Sequence, residues 1–190
     1  MASLPNYYLS PEEYLATERR AEFKSEYVDG VVYAMSGASV RHNLITANLI
    51  VSLGSQLRKT PCSVYPSDLK VRVPSGKKYF YPDVSITCGE IEFADNQKDV
   101  VLNPIIVVEV LSESTVAFDR GKKFQSYQQI ESLKEYLLVS QDEYVVEHFL
   151  RQEDGRWLYT KASGLDEVIT LPTVNCRLAL SDVYNKATLS

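Results

Sequence analysis

The sequence predicts a mixed α/β fold, in which helices flank a β-sheet whose strands run in both directions. Three observations lead there. Between residues 39 and 140 the hydrophobic patterns follow the order α-β-β-β-α-β, and strands that run together and then return through a helix favour a mixed sheet. Residues 105–111 are aliphatic at every position but one, the pattern of a strand buried on both faces. Residues 40–57 instead carry apolar side chains at helical period. The 190 residues suit one domain spanning 1–190, and no repeat, low-complexity tract or Pro/Gly/Ser-rich linker divides them.

Each element has a local cause. Ser10-Pro11-Glu12-Glu13 is a helix start, with Ser10 as N-cap, Pro11 in the first position and Glu13 closing a capping box; the helix runs to about Arg19. Residues 26–35 read as a β-hairpin turning at Asp29-Gly30. Ser39 caps a second helix with apolar side chains at Val40, Leu44, Ala47 and Val51 and, one row over, Ile50, Leu53 and Leu57; it ends near Thr60-Pro61. Strands follow at about 63–73 and 79–87, separated by Pro74-Ser75-Gly76, and at 105–111. A helix over about 118–130 leads to a strand at 135–140. Three β-like stretches near 144–151, 157–162 and 167–171 close the chain, with Trp157 as a core or edge anchor. The hairpin and these last strands extend or cover the central sheet.

Composition excludes several classes. No apolar run approaches the ~20 residues that span a bilayer, and Met1-Ala2-Ser3-Leu4-Pro5-Asn6 lacks a secretory pattern, so a cytoplasmic location is expected. Cys62, Cys88 and Cys176 form no CxxC pair, so neither a zinc site nor a disulfide is expected. With two histidines, any metal should be a hard cation held by oxygen. The net charge of −5 means that nucleic acid, if bound, meets a local basic face drawn from Lys70, Arg72, Lys77, Lys78, Arg120, Lys122 and Lys123.

Three short segments carry chemistry. In Ile105-Ile106-Val107-Val108-Glu109-Val110-Leu111 a carboxylate sits inside an apolar strand, which costs several kcal/mol unless it is paired, neutralised or metal-bound. In Tyr79-Phe80-Tyr81-Pro82-Asp83-Val84, Asp83 interrupts an aromatic and β-branched run, and Pro82, without an amide donor, suggests an edge or bulge that re-aims the carboxylate. If these strands are neighbours, the two carboxylates reach one point, as Mg²⁺ or Mn²⁺ requires. Asp119, Lys123 and Tyr127 share one face of the helix that follows the Glu109 strand, and from there Lys123 can lean over the strand's end. The bland readings are a salt-bridged core Glu109, a turn-flanking Asp83 and an exposed Asp119–Lys123 pair.

Taken together, these segments resemble the PD-(D/E)XK nuclease superfamily and, more narrowly, the Uma-type restriction endonuclease family. The resemblance covers residues 10–140. It rests on Glu26…Asp29-Gly30, His42, Ser67-Asp68-Leu69-Lys70-Val71-Arg72-Val73, Pro82-Asp83, Glu109-Val110-Leu111-Ser112, Asp119…Lys123…Tyr127 and Glu135-Tyr136-Leu137-Leu138-Val139. The lysine usual two positions after the glutamate is Leu111 here, and the resemblance implies its replacement by Lys123 from the helix. It implies a restriction-endonuclease-like αβββαβ core with Asp83, Glu109 and Lys123 as the catalytic set. Mg²⁺ or Mn²⁺ would lie on Asp83, Glu109 and the Val110 backbone carbonyl, and Glu26, His42, Asp68, Asp119 and Tyr127 are further candidates. The implied activity is metal-dependent endonuclease cleavage of DNA by a homodimer. Alternatives are an idle nuclease fold serving as a binding module, and an enzyme acting on a non-nucleic phosphodiester.

Overall fold

The computed structural model describes residues 8–188; the hexapeptide read above for a leader lies outside them. Ser10 caps α1 (Pro11–Glu18) with both halves of the capping box formed. Strands β1 (Ser25–Val28) and β2 (Val31–Ala34) are joined through Asp29 and Gly30 at φ 49° and 95°, left-handed at both positions as a primed hairpin turn demands. Ser39 caps α2 (Val40–Leu57) by accepting from the His42 amide. The buried ridge of α2 is Ile45, Leu49, Leu53 and Leu57, one row over from the Val40–Val51 row. Val40 is 87% exposed and Val51 also faces solvent. The apolar arc of this helix is wider than the surface it covers, so periodicity alone does not select the row.

The two strands expected at 63–73 and 79–87 are each broken in two. They become β3 (Cys62–Pro66) and β4 (Lys70–Arg72), then β5 (Lys78–Phe80) and β6 (Val84–Cys88). After Pro66 the Asp68 and Leu69 amides turn back onto the Pro66 carbonyl. At the second break Pro82 has no amide to continue a ladder. Each break moves the chain from one sheet to another. Strands β3 and β6 join β8 (Ile106–Leu111), β9 (Glu135–Ser140), β10 (Val145–Arg151) and β11 (Trp157–Ser163) in a six-stranded sheet of order β11-β10-β9-β8-β6-β3. Only β8 and β9 pair in parallel there. Strands β4 and β5 join the N-terminal hairpin and β7 (Val100–Val101) in a second sheet of order β2-β1-β5-β4-β7.

The predicted mixed core is therefore α2, β3, β6, β8, a helical crossover and β9. The crossover is less regular than its pattern: α3 (Val116–Phe118), a π-helical turn (Asp119–Lys123) and α4 (Phe124–Tyr127). Beyond the expected β12 (Val168–Leu171) lie β13 (Cys176–Ala179) and α5 (Leu180–Val183). One face of the large sheet packs Val84, Ile86, Val108, Leu137 and Val139 against α2 and this C-terminal unit. The other packs Val107, Leu111, Tyr136 and Leu138 against Val71 and Phe80 of the smaller sheet and Phe124 and Tyr127 of the crossover. Trp157 anchors that second face, edge-on to Phe124 at 5.2 Å.

The cysteine expectation is overturned. Cys62 and Cys88 form a disulfide, their Cα atoms 3.9 Å apart, while Cys176 is free and buried. The antiparallel β3–β6 register sets the two residues directly opposite each other, so a sequence separation of 26 becomes adjacency.

Candidate active site

Glu109 sits in β8, where every residue is buried, and is itself 3% exposed. Its Oε1 accepts from the Lys123 ammonium at 2.9 Å and the Tyr127 hydroxyl at 3.0 Å. Lys123 also meets Glu26 Oε1 of β1 at 3.0 Å and Asp119 Oδ1, one turn earlier, at 3.6 Å. The Phe80 ring lies 5.5 Å below the ammonium. The π-helical turn carries both Asp119 and Lys123 inward; such turns insert an extra residue and recur at functional sites. Glu26 and Glu109 thus reach one lysine from two different sheets.

Asp83 closes the cluster at the kink before β6. Its Oδ2 accepts from the Val110 amide at 2.7 Å, and its Oδ1 lies 2.8 Å from His42 Nε2 in the first turn of α2. Continuing the Val84↔Val108 register by two residues puts Pro82 opposite Val110. The Val110 carbonyl points to the same side of the strand as its amide, where Pro82 has no N–H to offer it. Asp83 and His42 are 16% and 15% exposed at their side chains, against 4% and 6% for Glu109 and Lys123, so solvent reaches the cluster from the Asp83–His42 side.

The electrostatics are lopsided. Three carboxyl groups (Glu26, Glu109, Asp119) surround one lysine, and a fourth, Asp83, acts on Glu109 while paired with His42. Burial pushes the Glu109 carboxyl well above its ordinary range; Lys123 opposes this, and Asp119, Asp83 and Glu26 add to it. Burial disfavours the Lys123 ammonium, but Glu109 and Glu26 outweigh it and hold the lysine above its usual value. Burial, then the charge of Glu109, raises the Tyr127 hydroxyl.

Asp83, Glu109, Lys123, Glu26, His42, Asp119 and Tyr127 are thus brought together. Asp68 is not: it is exposed on the β3–β4 turn and pairs with Lys24 at 2.8 Å. Lys70, expected at a nucleic-acid contact, is buried and bound to Asp99 at 3.0 Å and the Tyr81 hydroxyl at 3.1 Å. Its ammonium is therefore not available to a phosphate. Arg72 is half-buried beside Tyr79, Arg120 is bound to Glu147, and Lys122 is exposed. The sequence reading missed Tyr81 and Glu18. The Tyr81 amide donates to Glu26 Oε1 at 3.1 Å, and its hydroxyl donates to Glu18, which also holds Ser25. One signal was present: Glu18 ends α1, where the helix dipole disfavours a carboxylate.

Among the described residues no three Asp, Glu, His or Cys side chains converge as a ready-made ligand set. The donor chemistry still fits a hard divalent cation: two carboxylates and a backbone carbonyl facing an amide-less proline, in a cluster with surplus negative charge.

Sheet order and crossover define a restriction-endonuclease-like nuclease fold. A solved structure described as a putative nuclease of DUF820 from Anabaena variabilis superposes with a TM-score of 0.77 over 95% of this chain and 99% of that one, at 16% identity. The chain belongs to the Uma2 family, described as "Putative restriction endonuclease", whose model matches residues 11–181. Two Synechocystis proteins are similar along most of their length. Uncharacterized protein sll1609 is 38% identical over 156 residues, covering 82% of this chain and 88% of that protein. Uncharacterized protein slr1290 is 37% identical over 182 residues, covering 96% and 94%. No helix among the described residues is long and apolar enough to cross a membrane.

Proposed function

We propose that the protein is a divalent-metal-dependent endonuclease hydrolysing phosphodiester bonds of DNA. The observation that carries this is the buried Glu26–Glu109–Asp119–Lys123–Tyr127 cluster, three acids around a single lysine, meeting Asp83 at the end of β8. Asp83, Glu109 and the Val110 carbonyl would hold Mg²⁺ or Mn²⁺, which when bound supplies Lewis-acid stabilisation of charge on phosphate. Lys123 orients the attacking water and offsets negative charge building on the phosphoryl oxygens. Tyr127 holds the rotamer of Glu109, and His42 with the Val110 amide holds both oxygens of Asp83. Substrate enters on the Asp83–His42 side, the more exposed edge of the cluster. Cutting both strands of a duplex takes two such sites, so a homodimer belongs to this reading.

The competing reading, an idle nuclease fold used as a binding module, is favoured by the pairing of Lys70 and Arg120, two of the expected nucleic-acid contacts, with acids. Cleavage of plasmid and single-stranded DNA with Mg²⁺ or Mn²⁺ separates the two. The wild type should cut, while Glu109→Gln and Lys123→Met fall by at least ~10²-fold and remain folded. Cleavage that survives in both variants would falsify the site. A metal-replete wild type that cuts nothing favours the binding module.

A further inference from the structure

Strand β11 is an unprotected sheet edge with an unusual composition. It lies at the end of the six-stranded sheet, paired on one side with β10. The Gln152 amide bonds the Arg156 carbonyl and the Gly164 amide bonds the Tyr144 carbonyl, so the even-numbered residues of β11 direct their backbone groups to β10. Trp157, Tyr159, Lys161 and Ser163 direct theirs outward, where they meet no partner among the described residues. Edges of this kind are normally shortened, broken by proline or laced with charge. The opposite edge, β3, contains Pro66; β11 has seven residues, no proline and one charge. Leu158, Tyr159 and Leu165, three of the eight exposed large hydrophobics among the described residues, fall within this stretch and the turn after it, with Leu158 51% and Tyr159 49% exposed.

We propose that β11 pairs antiparallel with β11 of a second copy of this chain, about a two-fold axis at Thr160. The occupant follows from self-complementarity. Backbone parity allows only registers that set odd residues against odd ones, and centring on Thr160 is the register that overlaps the whole strand. It places Lys161 against Tyr159 of the second copy, an ammonium on an aromatic ring, twice over. Leu158 then meets Ala162, Trp157 meets Ser163, and Thr160 meets itself in a favourable cross-strand pair. Centring one residue later would oppose the two lysines.

The axis stands perpendicular to the sheet at the β11 pair, so the two copies present the same face there. Glu109 lies three strands from β11, and seven strand spacings of ~4.8 Å separate the two glutamates by ~34 Å. Resting on the nuclease reading, this sets the two sites in one continuous sheet, separated by about one turn of a duplex. The dimer itself does not depend on that reading.

Sedimentation velocity tests the interface without any cleavage assay. The wild type should sediment as a dimer. Thr160→Cys should cross-link to itself under mild oxidation, since facing residues of a non-hydrogen-bonded pair lie ~4.5 Å apart, whereas Leu158→Cys, facing Ala162, should not. Tyr159→Pro removes an outward amide and spares the β10 ladder, so it should be monomeric with an unchanged circular dichroism spectrum. If that variant misfolds, Tyr159→Lys serves: it sets lysine against lysine and should be monomeric, and adding Lys161→Glu should restore the dimer. A monomeric wild type, or a dimer indifferent to both Tyr159 variants, overturns the proposal, whether or not the protein cuts DNA.

Discussion

Glu109 and Glu135 are both buried glutamates on neighbouring parallel strands, yet they differ in kind. Glu135 projects to the α2 face, where its Oε2 meets His148 Nε2 at 2.6 Å and its Oε1 accepts from the Thr173 amide at 2.8 Å. Two oxygens have two partners, and one of them ties the C-terminal unit to the sheet. Glu109 projects to the opposite face, where one oxygen takes both Lys123 and Tyr127 while two further carboxyls, Glu26 and Asp119, crowd the same lysine. Burial of charge is common to both and marks neither as functional. The difference is balance: the Glu135 network is complete without a ligand, and the Glu109 network is short of positive charge.

The largest expected effect breaks the balanced network. Glu135→Ala leaves His148 and the Thr173 amide without their carboxylate and should cost about 3–5 kcal/mol, lowering the melting temperature by roughly 10 °C. Glu109→Gln should leave stability unchanged or raise it, because it removes one of several mutually repelling carboxylates. Calorimetric melts of the two variants make the comparison, and a large loss in Glu109→Gln would erase the distinction.

Acid dependence sharpens it. The folded carboxyl of Glu109 is raised above the unfolded value, so its contribution to stability is fully present below the unfolded pKa of about 4.5 and is lost as pH rises through the folded value. Denaturant titrations from pH 4.5 upward should show the wild type losing stability relative to Glu109→Gln. A constant difference across that range counts against the charge surplus. Tyr127→Phe removes one hydrogen bond from Glu109 and should cost about 1 kcal/mol in denaturant titrations, with a fall in any cleavage rate.

Much of this was legible in sequence, for identifiable reasons. Glu109 stands out because a lone charge in an aliphatic strand demands a partner, and Asp119, Lys123 and Tyr127 because helical spacing survives even a π-helical turn. The breaks at Pro66 and Pro82 were not read as changes of sheet. Each proline shows locally only that a ladder cannot continue, whereas the destination of the chain depends on strands far away. The same limit hid the Cys62–Cys88 bridge, which exists only in the β3–β6 register. It also concealed the burial of Lys70, whose partner Asp99 arrives with β7.

The smallest expected effect concerns Asp68, which shares a sequence segment with residues that enter the interior but not their environment. Its side chain is 84% exposed, and its one ion pair, to Lys24, is a surface pair. Such pairs contribute between 0 and about 1 kcal/mol, so Asp68→Ala should change stability by less than about 0.5 kcal/mol. A role at the metal requires Asp68 to leave the β3–β4 turn and approach Asp83, which would free Lys24 and rebuild the turn on Pro66. Calorimetric Mn²⁺ titration decides between these. Equal affinity in Asp68→Ala and the wild type keeps this residue with the surface, and a tenfold loss moves it into the site.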